Sequence, residues 1–165
     1  MAVKTGRELA GLAVMTLTGG EKVGRIDDVV FDPASGRVTG FFVDRGGMFS
    51  KPKFLPAGDV HSIGDDALTL VSETALLDGP SALTGELAAK TVEGLPVLSP
   101  AGTVLGKVAD ISVDTQSLTV PYLLLAAGLV SNALHGKPHL PLSAVQTIGA
   151  DSVVVVSTYD PKSST

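Results

Sequence analysis

Apolar and polar positions along the chain fall into short runs separated by turn signals. Leu12–Leu17 is β-rich and is closed by Gly19-Gly20, a pair that readily takes the positive φ angles of a tight hairpin. Lys22–Phe31 follows and stops at Asp32-Pro33-Ala34-Ser35-Gly36, where Pro33 suits the first central position of a type I turn and Gly36 the left-handed one after it. Asp27 and Asp28 interrupt any single apolar face of this run, so a bulge beside them is needed to restore its register. Arg37–Val43 completes a second hairpin. After Gly46-Gly47 and the looser Met48–Pro52 come Lys53–Pro56, Val60–Ile63 and Ala67–Val71, the last two joined at Gly64-Asp65-Asp66. About six short strands at turn-limited spacing predict a small closed or half-closed antiparallel barrel, with a sandwich as the competing arrangement.

The pattern is then written a second time. Gly24 and Gly106, Asp28 and Asp110, Asp32 and Asp114, and Gly46 and Gly128 each lie 82 positions apart. After a three-residue insertion the match resumes at a spacing of 85, with Leu55-Pro56 against Leu140-Pro141, Val60 against Val145, and Ile63-Gly64 against Ile148-Gly149. A gap in a loop, with register kept in the apolar runs, is the mark of a duplicated folded unit. The second set of strands is predicted at Leu95–Leu98, Val104–Val113, Thr119–Ala126, His139–Leu142, Val145–Ile148 and Ser152–Ser157. Between the sets, Thr74–Thr91 has no period-two pattern and contains Gly79-Pro80-Ser81, which reads as a linker with a short helix over Leu83–Lys90. The organisation expected is a first unit at 1–75, a linker at 76–91, a second unit at 92–158 and a frayed polar tail at 159–165. Units this small bury little surface alone, so the halves are expected to dock across an apolar face.

Composition narrows the classes of function. The 165 residues carry a net charge of −5 and no long basic run, which disfavours a phosphate backbone as ligand. Cysteine is absent, so there is no thiolate metal site, disulfide or thiol nucleophile. Met1–Arg7 lacks the apolar run of a secretion signal, and Val120–Val130 is too short for a spanning helix; the expectation is a cytoplasmic protein without a membrane span.

The motifs Gly11-Leu12-Ala13-Val14, Gly24-Arg25-Ile26-Asp27-Asp28-Val29, Gly36-Arg37-Val38, Leu55-Pro56 and Ile63-Gly64-Asp65-Asp66 resemble the PRC-barrel domain. That fold is shared by the cytoplasmic part of the photosynthetic reaction-centre H subunit and the C-terminal domain of the ribosome maturation factor. The second copy departs from the pattern at Thr115-Gln116-Ser117-Leu118, which has neither the turn proline nor the glycine. The resemblance implies an all-β protein, two PRC-type barrels in tandem, of bacterial or archaeal type, holding assemblies together by protein–protein contact. Its motifs are structural glycines and apolar positions, and they bring no catalytic residue.

Candidate chemistry is sparse. Asp28 and Asp110 recur at one place in both units, each inside an apolar run, and are read with Gly24 and Gly106 as structural, the carboxylates accepting backbone N–H groups at a bulge or turn. Asp27, Asp32, Asp65 and Asp66 could contribute oxygens to a calcium or magnesium site, but they sit at turns without EF-hand spacing. His135 and His139 are four apart, yet Gly136 and Pro138 oppose the helix that would align them on zinc, and His61 is the only other imidazole. No nucleophile elbow, P-loop or dinucleotide-binding glycine pattern is present. The loops after the third strand of each unit mix apolar and basic residues, so Met48, Phe49, Leu129, Val130 and Leu134 are the partner-binding candidates, unless they cap the barrels or seal the halves together. The reading is a non-catalytic scaffold without a cofactor, its halves packed like a dimer, binding another protein, with a homo-oligomer as a further expectation. A ribosome-assembly accessory and a small-ligand or metal-binding barrel are the alternatives.

Overall fold

The structure, a computed structural model, describes residues 2–48, 50–80, 83–126 and 139–159. Among these the chain is mostly β, in two sheets. It opens with β1 (Val3–Thr5) and a single helical turn, α1 (Gly6–Leu9). Then come β2 (Ala13–Thr16), β3 (Lys22–Phe31), β4 (Val38–Asp44), β5 (Lys53–Pro56), β6 (Val60–Ile63), β7 (Ala67–Leu70) and β8 (Leu77–Asp78). Next are β9 (Leu87–Ala88), α2 (Ala89–Val92), β10 (Pro96–Leu98), β11 (Val104–Asp114), β12 (Tyr122–Ala126), β13 (His139–Pro141), β14 (Val145–Ile148) and β15 (Val153–Val155). No helix among the described residues is long and apolar enough to cross a membrane.

Apart from β8 at the edge of the first, the two sheets share one strand order. The first runs β6-β7-β2-β3-β4-β5-β8 and the second β14-β15-β10-β11-β12-β13. Three expectations need correction. Neither sheet closes into a barrel: β5 passes into β6 through a 3-10 turn at Ala57–Asp59, β13 into β14 through another at Leu142–Ala144, and among the described residues no ladder closes either cylinder. The sheets are not purely antiparallel, because β2 pairs with β7, and β10 with β15, in parallel. The first and last strands of a unit meet only after a long excursion, so no hairpin dictates their direction. The linker helix lies at Ala89–Val92 rather than over Leu83–Lys90, since Leu87 and Ala88 are taken up as a strand.

The bulge demanded by the acidic pair is present. Pairing of β3 with β4 slips between Ile26 and Asp28, and pairing of β11 with β12 slips between Val108 and Asp110. Each slip adds one residue and turns the next carboxylate inward. The turn after β3 follows its sequence: Gly36 sits at φ 75° and donates its N–H to the Asp32 carbonyl at 2.8 Å. In the second half Leu118 adopts the same conformation, φ 53°, with its N–H on the Asp114 carbonyl at 2.8 Å. A left-handed leucine costs about 1–2 kcal/mol, which the turn's other contacts must offset.

The halves are built into one another. β1 pairs with β11, Val3 opposite Asp114 and Thr5 opposite Ser112, while β9 pairs with β3, Val30 opposite Ala88 and Phe31 opposite Leu87. Each sheet therefore takes its extra strand from the other half's leading segment. The turns meet as well: Val38 N–H donates to Leu118 O at 2.9 Å and Val120 N–H to Gly36 O at 2.7 Å, the reciprocal pair expected of a two-fold contact. A single apolar cluster runs through both, with Phe31, Phe41, Leu55 and Leu68 from the first half and Ile111, Leu123, Leu140 and Val153 from the second. Leu9, Ala89 and Val92, from the two exchanged turns, belong to that same cluster. Burying each large aliphatic side chain contributes roughly 1.5–3 kcal/mol.

Candidate functional site

The duplicated carboxylates lie where the halves interlock. Asp110 Oδ1 accepts the Ile111 N–H at 2.8 Å and its Oδ2 accepts the Arg7 N–H, from α1 of the other half, at 3.1 Å. Asp28 mirrors this, with Oδ1 on the Val29 N–H at 2.8 Å and Oδ2 on the Lys90 N–H of α2 at 3.3 Å. Each bulged strand thus holds the first turn of the opposite half by its orphan amide. Gly6 makes the tighter contact possible, because a Cβ there would lie 2.7 Å from Asp110 Oδ1; Ala89 occupies the matching place over Asp28, where the contact is longer. Burial pushes the Asp28 carboxyl above its ordinary 3.8, while the Val29 and Lys90 amides and the Lys90 charge pull against it. Both oxygens of each carboxylate are engaged with backbone, which is structural chemistry.

The two glycines of this region differ. A Cβ on Gly24 would sit 2.6 Å from the Asp44 carbonyl and 2.7 Å from Val43 Cγ1, whereas one on Gly106 would meet nothing nearer than Leu125 Cδ1 at 3.7 Å. Close approach of β3 to β4 requires glycine at 24; its counterpart at 106 has room for a methyl.

Other candidate ligands are dispersed. Asp27 pairs with Lys90 at 3.1 Å and Asp65 with Lys4 at 3.3 Å. Asp32 accepts the Ala34 N–H and the Ser35 hydroxyl within its turn. His139 stacks on Tyr122 with ring centroids 4.1 Å apart, His61 lies 3.4 Å from the Thr69 hydroxyl, and His135 is outside the described residues. Among the described residues no group of three or more His, Asp or Glu side chains is arranged to hold a metal ion.

Of the partner-binding candidates, Met48 is 90% exposed. It stands on a loop shaped by Gly46 and Gly47, both at positive φ, and by the Asp44 carboxylate accepting the Gly46 N–H at 2.8 Å. Phe49, Leu129, Val130 and Leu134 lie outside the described residues.

Two clefts escaped the sequence reading. One, of about 540 Å³, lies between Asp59–His61 and the segment Val71–Leu77, with Val71 and Leu77 more than half and half exposed. Leu17, also exposed, is not part of its lining but is bonded to the residue before Val71, its N–H on the Leu70 carbonyl at 2.8 Å. The only signal was an apolar residue just beyond each of two strand ends, Leu17 and Val71. The second cleft, about 420 Å³, is lined by Leu87, Val92, Leu95 and Ile148. At the corresponding positions of the first half, Lys4 and Asp65 form their ion pair.

With this geometry in place, comparison with known proteins finds that residues 1–76 match the family model of the PRC-barrel domain. No curated protein matches the chain.

Proposed function

We propose that the chain is a tandem of two PRC-type units, interlocked as a pseudo-dimer, that serves as a non-catalytic docking module for another protein. The family match to the first unit supports the fold assignment, and the strand order repeated in the second sheet supports extending it to residues 92–158. The observation that carries the docking role is Met48, an apolar side chain held almost wholly in solvent on a loop with its own internal hydrogen bonds. Isolated exposed apolar residues are ordinary, but a Met beside a turn braced by the Asp44 carboxylate, with Leu17, Val71 and Leu77 also exposed in the same half, is the composition of an adaptable binding surface.

The test is affinity capture from native lysate with the wild-type chain and Met48→Asp, Phe49→Asp and Leu129→Asp variants. A protein retained by wild type and lost with these variants, at unchanged thermal midpoint, is the expected result. Capture unaffected by all three removes the proposed surface.

A further inference from the structure

The repeat provides an internal control for one position. In the second half the Val156 N–H donates to the Ala144 carbonyl at 2.8 Å, fastening the chain beyond β15 to the turn that precedes β14. The equivalent atoms in the first half are the Val71 N–H and the Asp59 carbonyl. No bond joins them, and the 540 Å³ cleft opens at that place instead. One rung of backbone pairing present in one half is vacant in the other, beside the exposed aliphatic side chains of Val71 and Leu77.

Charge narrows what can fill it. The Asp59 carboxylate at the cleft is exposed and makes no ion pair among the described residues. The chain as a whole is at −5. Plain edge pairing elsewhere is discouraged, since β6 and β14 each carry a register slip in the only ladder they form among the described residues, a device that protects sheet edges.

Taking the docking role as given, we propose that this cleft receives an extended segment of a partner protein with a lysine or arginine next to an aliphatic residue. The segment's backbone completes the rung between Asp59 and Val71, its aliphatic side chain covers Val71 and Leu77, and its cation meets the Asp59 carboxylate. Main-chain bonds supply affinity and the alternating side chains supply selectivity, as in other strand-addition contacts.

The test uses the full chain and two capped synthetic pentapeptides, Thr-Val-Arg-Val-Thr and Thr-Val-Glu-Val-Thr. The arginine peptide is expected to shift the Val71 amide resonance and slow its hydrogen exchange, and the glutamate peptide is not. Asp59→Lys should weaken the arginine peptide by about fivefold or more, from attraction lost and repulsion gained. Val71→Asp should weaken it by about tenfold. Both side chains are exposed, so both variants should melt with wild type. Equal binding of the two peptides, binding undiminished in Asp59→Lys, or no Val71 response at millimolar peptide each overturn the proposal. A captured partner lost with Met48→Asp but kept with Asp59→Lys removes this cleft while leaving the docking role intact.

Discussion

Replacing Asp110 with alanine tests whether the carboxylates fasten the two halves. The residue is 3% exposed, and its carboxylate accepts the Ile111 N–H from its own strand and the Arg7 N–H from α1. Alanine leaves both donors without an acceptor. A buried donor so stranded costs about 1–3 kcal/mol, and because Arg7 borders solvent its amide can find water, so the expected total is about 2–4 kcal/mol. Asparagine keeps a single oxygen and should lose about half of that. Urea unfolding at neutral pH measures the total, and amide exchange over residues 3–9 locates it. The leading segment should open locally in Asp110→Ala before the rest of the molecule unfolds. A loss under about 1 kcal/mol, or unchanged protection at the Arg7 amide, would refute the role assigned to this carboxylate.

Three further outcomes follow from the same contacts. Gly24→Ala should destabilise by about 2–3 kcal/mol through the clash with Asp44 O and Val43, whereas Gly106→Ala should be neutral or gain up to ~1 kcal/mol; chemical denaturation of the pair decides it. Leu118→Asn should stay within about 1 kcal/mol of wild type because Asn tolerates the left-handed region, while β-branched Leu118→Val should lose more than that. The Asp28 and Asp114 carboxyls should contribute opposite slopes to stability against pH. The folded Asp28 holds a proton above 3.8 that the unfolded chain has released, so its contribution falls as pH rises from 3.8 through its raised folded value. Asp114, held below 3.8 first by the Ser117 amide and then by that of Gln116, stabilises above 3.8 and loses this as pH falls through its lower folded value. Urea midpoints across the acid range, with Asp28→Asn and Asp114→Asn, should show each slope removed separately.

Twelve main strands were readable because each is a β-rich run ended by its own turn chemistry, and the slip at Asp27 followed from two acids breaking an apolar face. Leu118 shows a limit of such reading: the turn geometry persisted without its glycine because hydrogen bonds on both sides, to Asp114 and Val38, hold the backbone there. The leading strand Val3–Thr5 was missed because it is three residues long and half polar, and its partner lies more than a hundred positions away. A local clue did exist at its end. Thr5 and Glu8 have capping-box spacing, and their reciprocal bonds, both 3.2 Å, start α1. Each of the two carboxylates accepts two backbone amides, and that one amide of each pair belongs to the opposite half could not be seen from either copy alone. The cleft at Asp59 and Val71 was invisible for a related reason: it lies where two exposed residues make no backbone bond to each other, which leaves no trace in hydrophobic spacing.

The crossing of leading segments has a mechanical consequence. With Val3–Leu9 seated on the later half and Leu87–Val92 on the earlier one, a protease nick between Asp78 and Leu87 would leave two fragments still clasped through both arms. Joining the copies in one polypeptide makes that mutual grip independent of dilution, because each arm always finds its acceptor on the same molecule. With both carboxylate fastenings intact, shedding either arm uncovers the neighbour's core, so the wild-type tandem should melt as one body.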